Sequence, residues 1–437
     1  MKKKIVSLLV TAAMGVSLFG CGNTESPVKE TEEGKTVSEG ESTGESGTDK
    51  TTVKMAVWSS GAAENFQRGA DAFNARQDKI EFVVEMQTGD YNQYLGAKVA
   101  SDDLPDMFFL NPYSQIQQFA ENDRIMELGS QGFSDKIFES VKDACSYNGK
   151  IYAYPMCLEM LGVYYNQELF EKAGITEVPK TLSQMEEACK KLQDNNITPF
   201  AATYKEAWTM NHLFSCLQGT AVGDYNKWIA DMNQGKGSFK NENSDKVFSF
   251  MDLMKENSGS NYMDADSTSG FNAFAAGEAA MIVTGEFSLL NASSINPDLK
   301  VGLFGVPITE NEEDAKLDVD VGICVVVNKN TPNPEAVMEV LDYMSDNQDS
   351  EGWMHYTADV MGSAPPAMEF TMENSYPYFE DYLKYMSDNQ TKPWVYLQLT
   401  SGANDIIGPV VQGYFAGTTD KDKTLEELDS QFAGLLE

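Results

Sequence analysis

Apolar and polar positions alternate over residues 53–58, where Val53, Met55 and Val57 share one face, and the run stops at Ser59-Ser60-Gly61. A period of two bounded by small residues predicts a strand. Residues 64–77 switch to a helical period and put Phe66, Ala70 and Phe73 on one side. Residues 80–86 form a second apolar strand. Residues 90–101 space Tyr91, Leu95 and Val99 four apart, and 107–110 make a short third strand after Pro105. This βαβαβ opening predicts a parallel sheet with right-handed crossovers. Ligands of such sheets sit beyond the carboxyl ends of the strands, here at residues 58–59, 87–90 and 111–113.

The same alternation continues. Residues 150–155 and 162–166 are two extended pieces flanking 156–161. A helix starts at Glu168 and another at Thr181, where Gln184 three residues on completes a capping box and Leu182, Met185, Cys189 and Leu192 form the apolar stripe. Residues 197–203 return as a strand. Residues 207–276 are mostly helical with Gly- and Asn-rich breaks, and 279–284 and 301–304 are strands. Residues 321–327 are continuously apolar, the pattern of a strand buried on both faces. Ala336, Val337, Val340, Leu341 and Met344 mark a helix over 334–346, and the C-terminal third is helical, ending with 424–436.

The N-terminus breaks this rhythm. Lys2, Lys3 and Lys4 precede an uncharged apolar run over residues 5–19, too short for a membrane span and fitting a signal peptide. It ends Leu18-Phe19-Gly20-Cys21, which looks like a bacterial lipobox, with Phe19 where a small residue is usual. Cleavage after residue 20 makes Cys21 the lipidated N-terminus and takes the formal charge from −35 to −38, with 29 basic residues against 67 acidic. Residues 22–50 are Ser, Thr, Gly and Glu without aromatic, Leu, Ile or Met. Such a stretch cannot bury enough apolar surface to offset chain entropy, so residues 21–52 are read as a lipidated Cys and a disordered tether.

The chain has 437 residues, 42% hydrophobic, with 32 Lys+Arg against 67 Asp+Glu. That length favours two domains. The acidity excludes a nucleic-acid partner and an anionic-membrane surface, because both need clustered Lys and Arg; membrane attachment is expected through the lipid anchor only. Five cysteines remain beyond Cys21, an odd number without a C-x-x-C, so they are expected to pack as small hydrophobes.

Several segments, in order, carry a likeness. Asp90-Tyr91, Ala100-Ser101-Asp102 and Leu104-Pro105-Asp106-Met107-Phe108 form the first. The second and most specific is Gly149-Lys150-Ile151-Tyr152-Ala153-Tyr154-Pro155 with Gly162-Val163-Tyr164-Tyr165-Asn166-Gln167-Glu168-Leu169-Phe170, Ala173-Gly174-Ile175 and Pro179-Lys180-Thr181. The third is Phe274-Ala275-Ala276-Gly277-Glu278-Ala279-Ala280-Met281 with Gly285-Glu286-Phe287, followed by Asn296-Pro297-Asp298 and Val301-Gly302. Together, from about residue 53 to the C-terminus, they resemble the family 1 extracellular solute-binding proteins of maltose-binding-protein type, which capture sugars for bacterial ABC importers. The resemblance implies an α/β, two-lobed periplasmic-binding-protein-like fold with a ligand cleft between lobes and crossing hinge segments. One lobe would comprise residues 53–156 and 323–360, the other 157–322 and 361–437, after a signal peptide over 1–20. It also implies a monomer that needs no cofactor, closes on a neutral mono- or oligosaccharide and docks on ABC permease subunits at the outer face of the cytoplasmic membrane.

Sugars present hydroxyl edges and C–H faces, so acids and amides that pair with hydroxyls, and flat rings that cover faces, are the candidates. Trp58 ends the first strand. Glu64 opens the next helix, where the helix dipole is an equal reason for an acid. Asn111 and Tyr113 follow the third strand, in a turn before and after Pro112. Glu159 is a charge among apolar neighbours in a hinge-like stretch, where the resemblance implies a ligand-contacting acid. Trp208 with Asn211 would serve the second lobe. Glu286 and Phe287 follow a strand, Phe287 standing where relatives often carry Trp. Asp320 precedes the long buried strand, and Trp353, Met361 and Gly362 lie near a third crossing. Trp394 suits cleft or core equally, and Trp228 suits the core.

Rival chemistries are weaker. Glu159 with Glu286 could serve a secreted glycoside hydrolase, but acids are too plentiful for a pair to signal anything. A non-transport surface lipoprotein is the other alternative. His212 and His355 are the only histidines and no H-E-x-x-H occurs; Asp264-x-Asp266 meets Gly270 one place late for a calcium loop, so no metal is expected. A P-loop and a nucleophile elbow are missing too.

Overall fold

The computed structural model describes residues 50–58, 63–360, 367–368 and 378–437. The leader, Cys21, the tether up to residue 49, Met361 and Gly362 fall outside them. Among the described residues no helix is long and apolar enough to cross a membrane.

The opening strands are β1 (Thr51–Trp58), β2 (Ile80–Gln87) and β3 (Met107–Leu110). β1 lies between the other two and is parallel to both, as the βαβαβ pattern predicts. β1 starts at Thr51, two residues before the alternation does, because Thr51 and Thr52 still pair with Ile80 and Glu81. Its helices span Ala63–Asn74 and Tyr91–Ala100, and the second is capped by the Asp90 carboxylate accepting from Gln93 N–H at 2.9 Å.

A small hairpin, β4 (Ser146–Tyr147) with β5 (Lys150–Ile151), leads into β6 (Ala153–Asn166). β7 (Thr198–Phe200), β8 (Ala279–Thr284), β9 (Val301–Phe304), β10 (Leu317–Val327) and β11 (Thr391–Lys392) follow. The main sheet runs β2-β1-β3-β10-β6-β8-β7, with β11 on β10 and β9 on β6. Two sequence readings change here. The extended pieces on either side of 156–161 are one 14-residue strand, and the strand expected from 321 begins at Leu317. The cause is mutual: β6 and β10 run antiparallel from Asp318↔Leu161 to Val326↔Ala153, so the backbone of 156–161 has a ladder partner that local patterning cannot show. The strand expected over 197–203 shrinks to three residues. The capping box at 181 is also half displaced: Thr181 accepts from Gln184 N–H, but the Gln184 amide oxygen accepts from Lys180 N–H at 2.8 Å, one residue early.

Buried side chains separate into cores. The first draws on residues 53–158 and 321–368 and includes Val57, Phe109, Tyr154, Cys324 and Val325. The second draws on 161–308 and 394–432, with a smaller neighbouring cluster around Met160, Tyr164 and Leu317. β6 and β10 are shared: their residues 153–158 and 321–327 belong to the first core, and their other ends serve the second and its neighbour. All five cysteines of the described residues are unpaired and buried, the hydrophobe role expected of them; the Cys145 and Cys324 sulfurs lie 3.9 Å apart.

Where the two strands pass between the cores, the register slips around Ile323, so that Gly322 has no partner while Val321 faces Leu158 and Ile323 faces Cys157. Such a bulge re-aims side chains. At Gly322 a Cβ would fall inside the Glu159 carboxyl group, so only glycine leaves space for that acid. Gly322→Ala is therefore expected to displace Glu159 and cost about 1–3 kcal/mol, the usual range for overpacking, read as a lower urea midpoint at unchanged slope.

Candidate ligand-binding site

The carboxyl ends of the first strands carry an aromatic wall. Trp58 meets Tyr91 and Phe109 edge-on, with ring centroids 5.5 and 5.1 Å away. The Tyr91 hydroxyl accepts from Phe109 N–H at 3.0 Å and lies 3.1 Å from the Ala56 carbonyl, tying the ends of β1 and β3 together. Asn111 is half-buried at the end of β3, and its N–H donates to the Gln115 side chain at 2.8 Å. Glu64 is exposed at the start of its helix.

Tyr113 connects this wall to the other core. Its φ of 57° and ψ of −99° lie outside the regions an aromatic residue adopts freely. The strain is held at both ends: Tyr113 N–H donates to the Ala144 carbonyl at 2.9 Å, and the hydroxyl lies 2.9 and 3.1 Å from the two Asp320 oxygens. Its ring packs against both cores. Backbone strain persists only where the surroundings over-determine it, and functional sites are where this occurs most.

Across the sheet, the helix Ala207–Ala221 presents Trp208, Asn211, His212 and Ser215 along one stripe. Trp208 is 38% exposed, the outermost of a ring cluster. Trp208, Phe287, Trp394 and Tyr396 surround the His212 imidazole with centroids 5.2, 6.0, 5.1 and 5.7 Å from it. Trp394 and Tyr396 sit on a short 3₁₀ segment pinned by Trp394 N–H donating to Asp320 at 3.2 Å and Tyr396 N–H to Ser215 Oγ at 3.4 Å. Sequence reasoning singled out Trp208, Asn211 and Phe287, left Trp394 open, weighed His212 only as a metal ligand and passed over Tyr396. The Trp-x-x-x-His spacing on a helix and the Pro-Trp-x-Tyr run were the available signals. Among the described residues no group of acids, histidines and cysteines is arranged to hold a metal.

The acids gather at the crossing of β6 and β10. Glu159 and Asp320 face each other in the ladder, and Glu286 accepts from Met160 N–H at 2.7 Å. Among the described residues only Lys392 offers a buried cation, and it is paired with Asp318 and the Cys216 carbonyl. Burial without a counter-charge favours the neutral acid. Glu159 is pushed up to about 8 and Asp320 to about 7, and Glu286 is raised by burial and by the nearby Glu159.

Two expected ligand contacts do not stand. Trp353 is fully buried in the first core, with Phe66 and Phe82 centroids 5.8 and 5.7 Å away and Gly69 pressed against its indole. Helix packing, rather than a crossing, claims it. Glu286 is wholly inaccessible and bound to the β6 backbone, so it braces the crossing strand instead of reaching a ligand.

A model of the bacterial extracellular solute-binding proteins matches residues 58–351, well over half of the chain. The chain belongs to that family. It is a family of solute-binding proteins, not of enzymes. The multiple sugar-binding protein of Streptococcus mutans is 25% identical over 224 residues, which are 50% of this chain and 53% of that protein, so the match spans about half the relative's length. The melibiose/raffinose/stachyose-binding protein of Bacillus subtilis is 19% identical over 399 residues, covering 88% of this chain and 90% of that one. A solved complex of the binding protein RafE with raffinose superposes with a TM-score of 0.75 at 20% identity, covering 88% of this chain and all of that one. This confirms the mixed α/β solute-binding-protein fold expected from the sequence.

The raised acids have a consequence for stability. Folded Glu159 keeps its proton up to about pH 8 while the unfolded chain loses it near the ordinary glutamate value of 4.5. The folded state then binds more protons than the unfolded one in that window, so stability falls as pH rises from 4.5 to 8. Glu159→Gln, which cannot ionise, is expected to flatten that decline in melting temperature measured from pH 5 to pH 8; an unchanged slope would remove Glu159 from the account.

Proposed function

We propose that this solute-binding protein captures a neutral saccharide, an oligosaccharide in preference to a single sugar, and delivers it to an ABC permease. The observation that carries the reading is the pair of aromatic surfaces, Trp58 with Tyr91 on one core and Trp208 with Phe287 on the other, joined through Tyr113 and Asp320. Flat rings cover the C–H faces of sugars. The paucity of cations there favours uncharged ligands: the one buried ammonium among the described residues, Lys392, is committed to Asp318. The raffinose-bound structural neighbour and the sugar-binding relatives support the same class.

In this reading the cores are lobes close to residues 53–156 with 323–360 and residues 157–322 with 361–437, except that Cys157, Leu158, Val321, Ala367 and Met368 pack in the first core, and β6 and β10 are the hinge strands. Ligand stabilises the closed arrangement and the permease reads that arrangement. Contacts from one core to the other include the Tyr113–Asp320 bond, the Ser401 hydroxyl donating to Gln118 at 2.9 Å and Asp405 bonded to the Asn92 side chain. Lipid on Cys21 would hold the protein, as a monomer, at the outer face of the cytoplasmic membrane, with 22–52 as tether.

Two measurements test this. In a thermal-shift screen of neutral mono- and oligosaccharides, at least one is expected to raise the melting temperature through mass action. Trp58→Ala and Trp208→Ala should each weaken its binding about tenfold or more, or about 1.4 kcal/mol; full affinity in both variants would refute the aromatic surfaces as the site. For the anchor, Cys21→Ser is expected to move the protein from the membrane fraction to the medium, and a wild-type chain carrying no lipid by mass spectrometry would refute lipidation.

A further inference from the structure

The ring cluster on the Ala207–Ala221 helix contains three polar atoms that are buried and without a partner: Asn211 Oδ1, His212 Nδ1 and Trp394 Nε1. Asn211 and Trp394 are 3% and 2% exposed. Buried polar atoms are nearly always paired, and leaving one unmet costs about 1–3 kcal/mol. Three in one cluster, beside the exposed edge of Trp208, call for a common partner.

Their chemistry describes it. Asn211 Oδ1 only accepts, Trp394 Nε1–H only donates, and His212 Nδ1 does either, according to the tautomer its Nε2 adopts against the Tyr396 hydroxyl 3.2 Å away. Burial among four aromatic rings holds the imidazole down to about 3, so it is neutral at any pH where the protein works. The titratable groups around the cluster are Asp320, which accepts from Trp394 N–H, Glu159, which with Asp320 acts on the Tyr396 phenol, and Lys392, two residues before Trp394 and paired with Asp318.

We propose that Asn211, His212 and Trp394 form a neutral hydrogen-bonding subsite of the saccharide cleft, which takes an uncharged sugar group offering both donors and acceptors, a hydroxyl pair or an acetamido group, and rejects a sugar carboxylate or phosphate. An anionic oxygen only accepts. It would leave Asn211 Oδ1 facing another acceptor, and its charge would be buried without a free cation to pair it, Lys392 being committed to Asp318. This subsite rests on the saccharide reading above.

Calorimetric titration of the mature chain with raffinose, maltotriose, N,N′-diacetylchitobiose and trigalacturonate tests it. At least one neutral probe is expected to bind and trigalacturonate is not. Trp394→Phe removes the unpartnered N–H and part of the buried indole; it should weaken that neutral probe about tenfold, with some fall in melting temperature from the lost packing. His212→Phe should weaken that probe likewise. If His212→Phe fails to fold, Trp394→Phe and Asn211→Ala carry the test. Neutral-sugar affinity within twofold of wild type in Trp394→Phe and in whichever partner variant folds would overturn the subsite and leave the saccharide reading standing. Tight trigalacturonate binding would overturn the rejection of anions. Binding of none of the neutral probes in this titration, and of no sugar in the wider thermal screen, would overturn the saccharide reading, and the subsite with it.

Discussion

The antiparallel pairing of β6 with β10 is the constraint on which both cores are hung. Each strand gives one end to the first core; the other end of β6 serves the second core and that of β10 the small cluster beside it, and the ladder between them runs unbroken except at the bulge around Gly322. Ladder bonds satisfy the backbone where neither core can cover it. The bulge turns Glu159 and Asp320 to one place, and Gly322 gives the Glu159 carboxyl the space it occupies. From Asp320 the connections spread outward, to Tyr113 on the first core and to Trp394 on the second. The aromatic surfaces on either side are therefore aligned by a pair of carboxylate hydrogen bonds to the same residue.

That arrangement is expensive in charge and economical in polarity. Glu159, Glu286, Asp318 and Asp320 are all buried near the crossing with one ammonium among them. Coulomb repulsion and desolvation are relieved by holding protons rather than by adding cations. The whole chain has a formal charge of −35, yet the strand crossing can be close to neutral. A region of this kind presents rings, amides and neutral acids beneath a strongly acidic surface. Those are the groups that suit an uncharged polyol, whose desolvation cost is recovered by hydrogen bonds and by contact with flat apolar faces.

Local pattern was informative where a strand or helix is determined by its own residues. The alternation at 53–58, the helical stripe of the Thr181 helix and the apolar runs at 279–284 and 301–304 all recur in the structure within a residue or two. The parallel opening and the α/β class followed from element order, since crossovers leave few topologies. Pattern failed at 156–161, where strand identity depends on a partner 160 residues away in the ladder, and at the capping box, where a one-residue shift of Gln184 served the backbone equally well.

For the site, residue type alone marked Trp58, Glu159, Trp208, Phe287 and Asp320 as able to hold a sugar, and residue type is a property of the chain. Which of those groups meet is a property of packing. Trp353 and Trp394 are both buried indoles, yet one is sealed among Phe66 and Phe82 and the other joins His212 and Tyr396. Glu159 and Glu286 read as equivalent acids until the backbone of Met160 takes one of them. Chain order settled the elements, the class of fold and the excess of acid, because those follow from side-chain chemistry and short-range periodicity. The bulge at Gly322, the protonated crossing and the ring cluster around His212 came from contacts between residues distant along the chain, whose energies no local window contains.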